Sequence, residues 1–177
     1  MKPLPRARRT RTASSDSDPY PVALALLAGR ELSTAQVRDR LHRRGFADAA
    51  IEETLARLRD ERVIDDRRTA LARARQAVLV KHRGRLRALR ELESLGIDGA
   101  CARAVLDEVL REIDEQALVE RALARRLRGP ITSHAEFRRL YQYLVRQGFG
   151  TDLAASTLKK HARPTAWLDE GAVKADD

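Results

Sequence analysis

Lys81, Arg83, Arg85, Arg87 and Arg90 crowd into ten residues of this chain, and the chemistry open to such a cluster is the recognition of anions. Guanidinium groups in particular bind carboxylate and phosphate through paired N–H donors. On a helix starting near Gly84, Arg87 and Arg90 are three apart and Arg83 extends their line. All three are therefore expected on an exposed face, turned away from Leu86, Leu89 and Leu92, with Lys81, His82 and Arg85 at its border. Like charges on one face weaken a helix by about 0.2–0.5 kcal/mol per close pair, a cost that an anionic partner removes. Elsewhere Asp39 with Arg43, and Glu53 with Arg57, stand one turn apart with opposite charge, which leaves the 81–90 cluster the least balanced of the helical body. A merely solvated basic face is the competing explanation. Arg40, Arg43 and Arg44, and further along Arg138, Arg139 and Arg146, are the next candidates for partner contact.

The residue patterns of enzymes are missing. His42, His82, His134 and His161 lie far apart, with no second His or Cys at metal-ligand spacing, so they read as surface or interface residues and no metal site is expected. There is no Gly-rich phosphate loop, nucleophile elbow or HExxH string, and hence no catalytic residue or cofactor to nominate. Of the carboxylate pairs, Asp65-Asp66 falls where a helix should start, and Asp107-Glu108 falls on a helix face where Arg111 can pair with Asp107. Capping and solvation account for both.

The elements that carry these residues follow from a repeat. Leu41-Gly45-Phe46, Leu92-Gly96-Ile97 and Leu144-Gly148-Phe149 recur about every fifty residues, each followed ten residues after its Gly by Leu55, Leu106 or Leu158. With apolar residues at helical spacing, that period predicts an all-α fold of three tandem three-helix repeats, helix-turn-helix-like, in an open curved array of nine helices without β-sheet. Each glycine is expected to end a helix in the left-handed conformation, with the apolar residue after it as the lid of the cap. In the first repeat a helix starts after Pro21 and runs through Leu24 and Leu27 to Gly29. Ser33 and Gln36 then form a capping box, and Asp48 is the N-cap of a third helix with Ile51, Leu55 and Leu58 inside. In the second, Asp65-Asp66 cap a helix towards Val80, Gly84 takes the place of Ser33, and Asp98 caps a helix carrying Cys101, Val105, Val109 and Ile113. In the third, Arg128-Gly129-Pro130 is a stop, Ser133 and Glu136 make another capping box, and Phe137, Leu140, Tyr141 and Leu144 form the core face. The boundaries are a basic tail at 1–18 with little apolar content, expected to be disordered, repeats at 19–65, 66–114 and 115–163, and a flexible tail at 164–177 that holds Trp167.

Charged residues make up 34% of the 177 and aromatics 4%, with a formal net charge of +9 that favours a polyanion or an acidic protein face as partner. A single Cys101 at an apolar helical position suggests a buried thiol in a reducing compartment, and no apolar run reaches membrane-spanning length. A cytoplasmic monomer is the expectation.

The segment Ala23 to Asp66, with Leu26-Leu27, Arg30, Ser33, Leu41, Gly45-Phe46, Leu55, Leu58 and Asp65-Asp66, resembles the opening repeat of the RecX family of bacterial regulatory proteins. The string from Gly84 to Leu92 followed by Gly96-Ile97 resembles that family's second repeat, and Arg146-Gln147-Gly148-Phe149 its third. The resemblance implies a protein that binds RecA and the RecA–DNA filament and modulates strand exchange and ATP hydrolysis, in recombination, repair and the SOS response. The rival reading is a helix-turn-helix-like protein acting directly on DNA. Against it, the expected second and third helices are mostly Ala, Leu, Arg and Glu, which suits packing and electrostatics better than base reading. Weak, salt-sensitive, non-specific DNA binding is expected in either case.

Overall fold

The computed structural model describes residues 18–163; the two tails, with Trp167, lie outside the described residues. Among the described residues the fold is all-helical: α1 (Tyr20–Ala28), α2 (Thr34–His42), α3 (Asp48–Asp60), α4 (Asp66–Arg75) continued by a π-helical turn (Gln76–Val80), α5 (Arg85–Glu93), α6 (Gly99–Leu110), α7 (Glu115–Ala124), α8 (His134–Gln147) and α9 (Thr151–His161). The one extended pairing among them is an isolated parallel bridge between Ile131 and Ala162. The chain divides into two compact units between Asp66 and Arg67.

The recurrent Leu-x-x-x-Gly-apolar string is a helix stop. Gly45, Gly96 and Gly148 all have positive φ, at 86°, 74° and 94°. In the first and third copies the amide after the glycine reaches back to the leucine carbonyl, Phe46 N to Leu41 O at 3.4 Å and Phe149 N to Leu144 O at 3.2 Å. That bond closes the last helical turn and drops the aromatic ring into the core, where Phe46 and Phe149 are buried.

In the first unit α1, α2 and α3 surround Ala23, Leu32, Val37, Leu41, Phe46, Ile51, Leu55, Leu58 and Ile64. Ser33 Oγ accepts from Gln36 N, and Gln36 Oε1 accepts from Ser33 N, which completes the expected box at the start of α2. Ala23, Leu26 and Leu27 supply the inward face of α1, while Leu24 is 37% exposed. Two details differ from the sequence reading. Asp48 is the first helical residue of α3 and not its N-cap, which is Ala47, so its charge acts through the helix dipole. Arg57 pairs with Glu61 at 2.9 Å, one turn on, instead of Glu53, and its guanidinium lies 3.7 Å over the Tyr20 ring while the Tyr20 hydroxyl donates to Glu61.

The second unit has one continuous core, from Ala70, Ala74 and Val78 through Leu92, Val105 and Leu106 to Leu118, Leu123, Leu140, Leu144 and Leu158. Asp98 caps α6 as expected, accepting from the amides of Ala100 and Cys101, and those donors hold its carboxyl below the usual range. Cys101 itself is only half-buried. At the far end, Ile131 N donates to His161 O and Arg163 N to Ile131 O, and His161 Nε2 lies 2.7 Å from Glu120 Oε2, which fastens α9 to the α7–α8 connection.

Candidate functional site: the basic faces of the second unit

α5 begins against the end of α8. Gly84 N donates to Gln147 O at 2.9 Å and Leu86 N to Gly148 O at 3.1 Å, so the free amides of one helix start meet the free carbonyls of another helix end. The approach is so close that a Cβ on Gly84 would stand 2.4 Å from the Gly148 carbonyl carbon, and one on Gly148 would stand 2.3 Å from Arg87 N. Gly84 does replace Ser33 as the N-cap, and the neighbouring backbone is the reason.

This junction changes the reading of the 81–90 cluster. Arg83 is not an exposed member of a stripe: its side chain is 21% exposed, its guanidinium donates to Gln147 Oε1, and it lies 3.3 Å from Glu91. Arg87 reaches Glu91 at 3.3 Å and donates to Arg146 O at 3.2 Å, and Lys81 lies 3.5 Å from the same Glu91. The cluster is therefore balanced by a carboxylate on α5 itself. Arg85 takes Asp107, the partner expected for Arg111. Arg90 remains exposed with no ion pair among the described residues. Leu86, expected inside, is 51% exposed, because Ala88 and Leu92 form the buried line of α5. On the π-helical turn packed against α5, Leu79 and Val80 are also exposed, at 49% and 64%.

The first-unit candidates mostly serve their own helix. Arg40 donates to Gln36 O and Arg44 to Arg40 O, while Arg43 pairs with Asp39 as expected. Burial, then the charges of Arg30 and Arg43, push the Arg40 guanidinium below its ordinary value. Of the third group, Arg138 contacts His134 Nδ1 at 3.1 Å and Arg139 lies 3.7 Å from Glu136.

Arg139 and Arg146 do come together, in a place the sequence reading did not name. They line a cleft of about 460 Å³ with Arg125, Arg126, Arg128, Leu140 and Tyr143, between the end of α7 and one face of α8. Arg126 lies 5.5 Å from the Tyr143 ring centroid, and Arg125 donates to Val80 O at 2.9 Å. The signal was present: no carboxylate occurs between Glu120 and Glu136, whereas Arg121, Arg125, Arg126 and Arg128 all do. Reading Arg128-Gly129-Pro130 as a helix stop hid it. No group of three His, Cys, Asp or Glu residues gathers at metal-binding distance among the described residues, and no helix there is long and apolar enough to cross a membrane.

Comparison with known proteins places these features in a family. Residues 20–58 match the model for the RecX first three-helix domain. The regulatory protein RecX of Geobacillus kaustophilus is 34% identical over 77% of this chain and 51% of its own length, so the chain spans about half the length of that relative. The regulatory protein RecX of Chlorobaculum tepidum is 30% identical over 77% of this chain and 84% of its own. The crystal structure of RecX from Lactobacillus salivarius shares the fold at a TM-score of 0.64 and 21% identity, over 80% of this chain and 92% of that one. An all-helical chain with these caps, this spacing and these relatives belongs to the RecX family of regulatory proteins.

Proposed function

We propose that the chain is a cytoplasmic regulator that binds RecA and its DNA filament, most simply as a monomer, and lowers recombinase and ATP-hydrolysing activity during repair and the SOS response. The observation that carries this reading is membership of the RecX family over the helical body. In it the segments 19–65, 66–114 and 115–163 act as successive repeats, and the tails at 1–18 and 164–177 add to them. The contact surface proposed is α5 with the preceding π-helical turn, which between them carry exposed Leu79, Val80, Leu86, Arg85 and Arg90. Large apolar side chains beside basic ones suit a protein face with its own apolar and acidic residues.

The test is titration into RecA assembled on single-stranded DNA, following ATP hydrolysis and filament length together. Reversal of Arg83 and Arg87 would damage the α5–α8 junction, so the informative variant is Arg85→Glu with Arg90→Glu. It is expected to abolish inhibition at unchanged helix content. Unchanged inhibition moves the surface elsewhere; tight, sequence-selective binding to naked duplex at physiological salt with no effect on RecA rejects the regulator reading.

A further inference from the structure

We infer that the cleft between α7 and α8 is a binding site for a compact polyphosphate, either inorganic or carried by a nucleoside. Five arginines line one cavity of about 460 Å³, and no carboxylate residue is among its lining residues. Arginine cannot shed its proton to relieve this crowding, so the unliganded cleft carries standing repulsion that an anion removes. Internal partners neutralise little of it. Arg125 spends a donor on the neutral Val80 carbonyl and Arg126 faces the Tyr143 ring. Arg139 meets Glu136 only at 3.7 Å, with the arginine side chain 72% exposed. The side chains of Arg128 and Arg146 make no ion pair among the described residues.

The shape and charge density together select the ligand class. The volume is that of a small-molecule pocket. A nucleic-acid strand brings one charge per nucleotide, with sugar and base to accommodate, so a pocket of this size would meet few of its charges. A tri- or tetraphosphate brings several charges to one point, with oxygens that match the paired donors of guanidinium. Half-buried Tyr143, with the edge of buried Leu140, supplies an apolar wall where a nucleobase could rest. This site adjoins the surface proposed for RecA through the Arg125–Val80 hydrogen bond but shares no lining residue with it, so either can fail alone.

The experiment is calorimetric titration of the full chain with inorganic tripolyphosphate, ATP and orthophosphate at physiological salt. Saturable one-to-one binding of tripolyphosphate or ATP is expected, at least tenfold tighter than orthophosphate and weakened at least tenfold by Arg128→Gln with Arg139→Gln. Both side chains are exposed, so circular dichroism should report an intact fold, and Arg90→Gln should bind as the parent does. Equal affinity for the two ligands identifies the inorganic chain as sufficient; tighter ATP binding that Tyr143→Ala abolishes identifies the nucleoside form. Three results overturn the inference: no saturable binding, equal competition by polyglutamate, or an oligothymidylate that binds through these arginines and that millimolar tripolyphosphate does not displace.

Discussion

Placing one methyl group on Gly84 tests the helix-end junction directly. In Gly84→Ala the new Cβ would lie 2.4 Å from the Gly148 carbonyl carbon, 2.5 Å from its oxygen and 2.6 Å from Phe149 N. Carbon contacts are comfortable at about 3.5–4.0 Å, and the atoms in the way are backbone, so the two helix ends must separate by about 1 Å. Separation stretches both junction bonds, Gly84 N to Gln147 O and Leu86 N to Gly148 O, at a place where Gly84 and Gly148 are buried. Each bond contributes about 0.5–1.5 kcal/mol, and a buried group left unpaired costs about 1–3 kcal/mol, so the variant should lose about 2–4 kcal/mol. Gly148→Ala should lose about 1 kcal/mol more, because its φ of 94° also penalises an L side chain. Gly129→Ala is the control: nothing lies within 4 Å of its Cβ, and its effect should stay within about 0.5 kcal/mol. Urea unfolding followed by far-ultraviolet circular dichroism gives the comparison. A Gly84→Ala midpoint equal to the parent's, or a Gly129→Ala loss as large as that of Gly84→Ala, would refute the reasoning.

The remaining predictions use the same measurement. Arg83→Ala should cost about 1–2 kcal/mol, since its largely enclosed guanidinium holds Gln147 and Glu91, whereas Arg90→Ala should be close to neutral; the reverse order would restore the exposed stripe. Asp66→Ala should destabilise the first unit by about 1 kcal/mol, because Asp66 Oδ1 accepts from Thr34 N at 2.7 Å and so secures the first turn of α2; selective loss in the second unit would contradict this. The amides that cap onto Asp98 depress its carboxyl in the folded state. Its stabilisation is therefore present above the ordinary carboxylate pKa and is lost as pH falls through the depressed folded value. Acid should lower the parent's unfolding midpoint, and Asp98→Asn, which keeps an acceptor but does not titrate, should flatten that acid limb; parallel pH profiles would count against the cap.

Local rules made most of the helix ends legible. Ser33 with Gln36, Asp98, and the three glycines act within a few residues of themselves, so type and spacing determine them whatever packs nearby. What escaped was set by partners distant in the chain. Arg83 finds Gln147 across 64 positions and Arg87 finds the Arg146 carbonyl across 59, so a reading limited to neighbours on one helix placed both in solvent. The same limit made Asp66 only a start signal for α4, although its carboxylate also serves Thr34. Leu86 was misread for a different reason. A leucine every three residues mimics a buried stripe, and the actual line runs through the smaller Ala88.

The arginines sort into two kinds once their acceptors are known. Arg44, Arg87 and Arg125 donate to the carbonyls of Arg40, Arg146 and Val80, each at or near the end of a helix or of the π-helical turn, where backbone acceptors lack intrahelical donors. A long, permanently charged side chain suits that task, because it offers several donors and favours the negative end of the helix dipole. Part of the basic content is thus structural, and a count of basic residues overstates the surface left for partners. Arg90 on α5 and Arg128 and Arg146 in the cleft form no ion pair in the described structure, and Arg139 is only loosely held by Glu136. Substituting Arg90, Arg128 or Arg139, or Arg85, whose partner is the exposed side chain of Asp107, changes the charge offered to a partner while leaving the helix-end contacts of the first kind in place, which is why the functional tests above rest on them and not on Arg83 or Arg87.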